Sequence, residues 1–203
     1  MLKSTLSDEV LMSAVRDGDV TKLGLLFDRY HGALFDFFCR LAGNRTVAED
    51  LVQDVFFRIL KYRQTYRAES HFKTWMFHIA RNARFDHLKK HRGEVGFPEE
   101  GFDIPSRGPH PNQQFEQDQE TELLKRALAK LPDDRRELLM LARYQEMKYE
   151  EIAQLLGVDA GAIKVRVHRA TKELREIYLK LASEKSEKTP CSVTKSKTSL
   201  RIM

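Results

Sequence analysis

The sequence predicts an all-α chain: two helical domains joined by a flexible acidic linker, the second domain built around a helix-turn-helix. Apolar residues recur at three- and four-residue steps on both sides of a Gly- and Pro-rich break, and strand-like runs are few. The break, GEVGFPEEGFDIPSRGPHPNQQ, has neither helical nor strand periodicity and collects acidic side chains, with Arg107 as its lone cation. Farther on, Gly157-Val158-Asp159 separates two helical segments by a very short turn. The expected division is a first domain over 1–92, a linker over 93–118, a second domain over 119–182 and a Lys/Ser/Thr-rich, disordered basic tail over 183–203.

Punctuation residues place the elements of the first domain. Ser7 caps a helix reaching about Arg16, and Gly18-Asp19 breaks it. A second helix runs from about Thr21 to Leu41 and is closed by Gly43. Thr46-Val47-Ala48-Glu49 reads as a capping box that starts a third helix ending near Tyr62. After the polar loop Gln64 to Ser70, a fourth helix covers His71 to His91. In the second domain a helix from about Gln119 stops at Pro132. Asp133 and Asp134 then suit the first turn of the next helix, where the backbone dipole favours acids. Segments Tyr149 to Leu156 and Ala160 to about Leu181 complete the domain.

Composition narrows the classes of function. Net charge is +5 with pI near 9.2, and the charge is divided into basic blocks flanking the acidic linker. That alternation points beyond solvated surface charge to a polyanionic partner. No Gly-rich phosphate loop, nucleophile motif or metal-ligand spacing occurs, so no catalytic residue, cofactor, metal or small-molecule substrate is expected. Cys39 and Cys191 lie far apart without disulfide or metal spacing, and Cys39 in FDFFCRLAG reads as a small buried hydrophobe. With no signal-peptide pattern and no apolar run of membrane-spanning length, a soluble protein in a reducing cytoplasm is the expectation.

A helix-turn-helix needs a small residue in its first helix, a residue tolerant of positive φ in the turn and an apolar residue early in the second helix; Ala153, Gly157 and Ile163 supply them. Asp159 caps the second helix. The stretch IKVRVHR, Ile163 to Arg169, alternates like an edge strand, yet projection at about 100° per residue gathers Ile163, Val167, Ala170, Leu174, Ile177, Tyr178 and Leu181 into one stripe. It is therefore a helix. The opposite side carries Lys164, Val165, His168, Arg169, Lys172 and Arg175, with Arg166 at the flank. An amphipathic helix with solvated cations would show the same stripe. The turn spacing, the lack of acids from Ala160 to Lys172 and the outward Val165 favour a helix that enters a major groove.

The run ARNARFDHLKKHR, Ala80 to Arg92, is strongly basic and follows Tyr62, Tyr66, Phe72, Trp75 and Phe77. Rings among cations are what single-stranded nucleic acid requires, because rings stack on bases while cations follow the backbone. Met76, Ile79, Ala80 and Ala83 share a core-facing side with Trp75 at its edge, so Phe72, at the mouth of the polar loop, is the ring expected to meet a base.

Together, AEDLVQDVFFRI, HFKTWMFHIARNARFDHLKK, the irregular acidic linker and LPDDRRELLMLARYQEMKYEEIAQLLGVDAGAIKVRVHRA resemble the extracytoplasmic-function class of bacterial RNA polymerase sigma factors, over about Asp8 to Glu176. The resemblance implies a promoter-specificity subunit with sigma-2 and sigma-4 domains, cytoplasmic, with core RNA polymerase and promoter DNA as partners. It also implies an anti-sigma factor, soluble or anchored at the inner membrane. By that similarity Asp50, Gln53, Asp54 and Phe56 dock on core polymerase. Phe72, His78, Arg81, Asn82 and Arg84 melt and read the minus-10 element, with a base held by the Arg67 to Phe72 loop. Lys164, Val165, Arg166, His168, Arg169, Lys172 and Arg175 read the minus-35 duplex. By the same resemblance the linker would thread toward the polymerase active-site cleft and RNA exit path, while its residues by themselves read equally as a simple flexible tether. Many family members carry Thr and Ser where this chain has Ala162 and Val165, so hydroxyl contacts are missing there. The competing reading is a polymerase-independent regulator whose first domain senses or dimerises; such a domain has no use for a basic, aromatic ARNAR helix.

Overall fold

The computed structural model describes residues 6–91 and 114–187, and the helices it shows there are α1 Asp8–Arg16, α2 Lys22–Ala42, α3 Arg45–Tyr62, α4 Phe72–Lys90, α5 Gln114–Lys130, α6 Asp133–Leu139, α7 Tyr149–Leu156 and α8 Ala160–Glu187. Among the described residues no strand occurs. Residues 92–113, most of the expected linker, and 188–203, most of the expected tail, lie outside the described residues.

Local chemistry sets most of the helix ends. The Ser7 hydroxyl accepts the Val10 N–H at 3.4 Å and starts α1. Gly43 closes α2 in the left-handed region at φ 67°, where its N–H reaches the Cys39 carbonyl. One start differs from expectation. Asn44, not Thr46, caps α3, its side-chain oxygen accepting the Val47 N–H at 3.2 Å, so the Thr46–Glu49 capping box does not form. Glu49 instead pairs with Arg45 at 3.1 Å. A side chain just outside the helix that reaches a free amide of the first turn pre-empts a cap two residues deeper.

α1–α4 enclose a core of Leu11, Val15, Leu34, Phe37, Phe38, Val55, Ile59 and Phe77, all shielded from solvent. Asp8 ties α1 to α2 by accepting from Arg29 and Tyr30. In the second domain α5 packs on α8, and α6 continues into a π-helical turn, Met140–Tyr144, before α7. Both of its outer bounds extend past the sequence expectation: α5 begins upstream of Gln119, and α8 continues past Ser183, where the tail was expected to begin.

The two domains share one continuous apolar core and a polar seam. Across it α4 meets α6 and α7, and α2 meets α6 and the π turn. Arg136 is the largest fully buried side chain; burial lowers its pKa. Its guanidinium donates to the carbonyls of Ala129 and Leu131, each at 2.9 Å, and to Leu41 of the first domain at 3.4 Å. Gln145, also buried, donates to the Ala33 carbonyl at 3.0 Å and accepts from Lys73. Arg40 sits 4.1 Å above the Tyr144 ring.

Candidate nucleic-acid interface

The turn between α7 and α8 has the expected chemistry. Gly157 adopts φ 66°, which a β-carbon would strain, and its N–H closes α7 on the Ala153 carbonyl. Asp159 Oδ1 accepts the N–H groups of Gly161 at 2.7 Å and Ala162 at 3.3 Å, starting α8 without the help of Ala162's side chain. Ile152, Ala153 and Leu155 of α7 are buried with Ile163, Val167 and Ala170 of α8, which fixes the roll of α8 about its axis.

That roll decides the outer face. Lys164, Val165, Arg166, His168, Arg169, Lys172 and Arg175 are all exposed, as the projection predicts. Val165 is 49% exposed among these polar neighbours. Lys172 has only a loose partner, Glu176 at 3.9 Å. The N-terminal half of α8 is thus a slim, cationic, protruding ridge, the shape that a major groove admits.

The first domain divides its expected residues differently. Phe72 is wholly buried, with Tyr30 and Tyr66 rings against it at 5.4 and 6.3 Å, so it is a core residue and not a ring offered to a base. Its position just inside α4, one residue after the cap, turns it inward. Tyr66 is buried too and its hydroxyl donates to the Ser70 carbonyl at 2.8 Å, shaping the loop from inside. Burial pushes that hydroxyl's pKa up to about 12. Trp75 is half-buried against Tyr66, as expected of a packed ring.

Asn82 is exposed, in a shallow groove lined by Arg58, Tyr62, Ile79, Phe85 and Asp86. Tyr62 and Phe85 are 43% and 49% exposed, and they are the rings that flank Asn82. Sequence reasoning counted Tyr62 among the rings near the cations without giving it this place, and passed over Phe85. The signal was available for Phe85: Asn82, Phe85 and Asp86 stand at three- and four-residue steps, on the flank of α4 that adjoins Ile79 at the edge of the Met76–Ile79–Ala80–Ala83 face. His78 is half-buried, and burial followed by the Arg81 charge lowers its pKa.

Arg81 and Arg84 do not face the groove solvent. Arg81 pairs with Glu137 through Nε at 2.9 Å and Nη2 at 3.3 Å, and its Nη1 donates to the Leu155 carbonyl at 3.4 Å. Arg84, with its side chain 5% exposed, donates to Asp133. Both are seam residues in this structure.

On α3, Asp50 and Gln53 are exposed, and Asp54 is partly exposed with Arg58 at 2.9 Å. Phe56 is buried, 7% exposed, against Phe27; its neighbour Phe57 is 65% exposed. The α3 surface therefore presents Phe57 where the sequence reading placed Phe56. A one-residue step rotates a side chain by about 100°, enough to exchange core for solvent.

A helix-turn-helix with an exposed cationic ridge, joined to a helical domain that carries a polar groove with exposed rings, defines a two-module nucleic-acid-binding protein. Residues 26–94 match the model of Sigma-70 region 2, and residues 121–174 match that of Sigma-70, region 4. The chain is 32% identical over 177 residues to the ECF RNA polymerase sigma factor RpoE of Cereibacter sphaeroides, covering 86% of this chain and 97% of that one. It is also 32% identical over 151 residues to the ECF RNA polymerase sigma factor SigE of Mycolicibacterium smegmatis; this match covers 73% of this chain but only 58% of that longer protein. Among solved structures, the sigma factor RpoE of Bartonella quintana, crystallised with the anti-sigma factor NepR, superposes with a TM-score of 0.63 at 28% identity, over 76% of this chain and 94% of that one. The chain belongs to the family of ECF RNA polymerase sigma factors. It is a sigma factor that directs transcription initiation.

Proposed function

We propose that the chain binds core RNA polymerase through the outer face of α3, reads the melted minus-10 strand in the Asn82 groove and reads the minus-35 duplex with α8. The observation that carries this reading is the separation of two unlike surfaces, one a cationic ridge and the other a groove with exposed rings. α8 offers a ridge of Lys164, Arg166, His168 and Arg169 on one exposed helix face, suited to a groove. The Asn82 groove offers Tyr62 and Phe85 for stacking and an amide for a base edge, suited to an unpaired strand.

Roles follow from placement. Asp50, Gln53, Asp54 and Phe57 form the polymerase-facing patch, Phe57 as its apolar anchor. Lys164, Val165 and His168 approach base edges from the N-terminal part of α8, while Arg166, Arg169, Lys172 and Arg175 hold phosphates. His78, Arg81 and Arg84 line the strand path once the seam is open. An anti-sigma factor, the partner that accompanies the Bartonella quintana relative in its crystal structure, is the expected regulator, and whether it is tethered to a membrane is a property of that partner. No described helix of this chain is long and apolar enough to cross a membrane.

Runoff transcription with purified core polymerase across a promoter library tests the reading. Asn82→Ala is expected to impair promoter opening, read by permanganate reactivity of unpaired thymines, far more than it weakens core binding. Equal loss of both would remove Asn82 from strand recognition.

A further inference from the structure

The seam between the domains uses the cations that the reading above gives to the minus-10 strand. Arg81 grips both Glu137 oxygens in the paired geometry with which arginine also grips two oxygens of a phosphate, and Arg84 donates to Asp133. Both acids belong to α6, in the opposite domain. Glu137 is itself 7% exposed at its side chain, so strand and α6 cannot occupy Arg81 together. Lys73 is likewise committed, donating to the Gln145 carbonyl.

The other surfaces are left open. The outer face of α8 from Lys164 to Arg175 and the α3 residues Asp50, Gln53 and Phe57 remain exposed in this arrangement. The block therefore falls selectively on the melted-strand site. The seam combines these ion pairs and side-chain-to-carbonyl bonds with a shared apolar core, and the ion pairs are the part that a competing ligand for Arg81 must displace.

We propose that this closed arrangement is an autoinhibited state in which Asp133 and Glu137 of α6 act as an internal competitor for the minus-10 strand, while polymerase docking and minus-35 reading stay available. The proposal rests on the assignment of Arg81 and Arg84 to the strand path. Linkage then requires that strand binding open the seam, and that opening the seam raise strand affinity by the same factor.

The test uses the full chain with dyes at Thr46→Cys and Lys180→Cys, Cys191→Ser removing the extra thiol and buried Cys39 left in place. Asp133→Asn/Glu137→Gln is expected to lower energy transfer between the dyes. It should also tighten binding of a fluorescein-labelled single-stranded DNA pool by roughly 5-fold or more, the ordinary lower range of such coupling, and leave duplex binding unchanged. A second pair guards against a fold defect: Arg81→Glu should open the seam, and adding Glu137→Arg should close it again. Unchanged energy transfer in both series would overturn the closed seam. A fall in transfer with no gain in strand affinity would overturn the inhibition. In that case Arg81→Ala and Arg84→Ala in the open background separate the causes, since loss of strand binding leaves the DNA assignment standing and no loss removes it.

Discussion

α4 and α8 each carry a run of cations, and the folded chain treats them oppositely. On α4, Arg81 and Arg84 turn into the seam against acids 56 and 49 residues away; on α8, every residue of the outer face from Lys164 to Arg175 that was expected to touch DNA stands in solvent. In sequence the two runs look alike. The difference teaches that helical projection tells which cations leave their own domain's core, but not whether another domain supplies an acid to receive them.

The sharpest way to break this comparison is to attack what sets the roll of α8. Ile163→Ala removes a fully buried side chain beneath the ridge and is expected to cost about 2–5 kcal/mol. Val165→Ala, on the outer face, should stay within about 0.5 kcal/mol. Thermal unfolding checks both, and similar losses would mean that the ridge is rolled differently. A smaller effect tests whether the α8 cations meet phosphate. Lys172→Ala and Arg175→Ala should each weaken duplex binding across sequences and reduce the slope of log affinity against log salt by at most about one unit. An unchanged slope would assign both to solvent.

Smaller still is the contribution of Val165 to specificity. An apolar side chain among cations can meet a thymine methyl, so Val165→Ser should shift preference at one minus-35 base pair, read by binding selection from a randomised duplex. Unaltered preference at every position would leave Val165 as bystander surface. The smallest effect concerns α4. Burial, then Arg81, lowers the pKa of His78 below its ordinary 6.5, so the native state favours the neutral ring and the unfolded chain binds more protons. Stability from this group is full above about pH 6.5 and is lost as pH falls toward the depressed value. Denaturant midpoints measured down this range should drop less in His78→Gln than in the parent chain. Burial, then His91, also lowers the pKa of His87, which retains part of the slope.

Much of the architecture was legible without coordinates because its causes are local. Ser7, Gly43, Pro132, Gly157 and Asp159 act within a turn of themselves, and they set helix boundaries that the structure reproduces closely. The cap of α3 was missed for a local reason as well: Asn44 and Thr46 both suit the role, and only backbone geometry at Asn44, extended at φ −134°, chose between them. The α8 stripe was legible because a long run of apolar positions at helical spacing averages out single-residue ambiguity.

The candidate site was less legible where one residue had to be told from its neighbour. Phe56 and Phe57 are equivalent in composition, and the boundary between them is the edge of the core, where Phe56 is covered in part by the exposed Phe27 ring of α2. Phe72 followed a polar loop yet turned inward onto Tyr30 and Tyr66, which come from α2 and from the loop itself.

By itself, then, the sequence determined an all-α chain, a helix-turn-helix with its ridge of Lys164 to Arg175, and the family to which such motifs belong. The first two follow from periodicity and turn chemistry, which operate over a few residues, and the family from the resemblance of the motifs. Tertiary structure alone decided that Phe72 is core, that Tyr62 of α3 comes to flank Asn82, and that Arg81 and Arg84 are held by Glu137 and Asp133. A charge or a ring has no fixed partner until distant helices pack, since short-range attraction between side chains acts only on the groups that folding brings within reach.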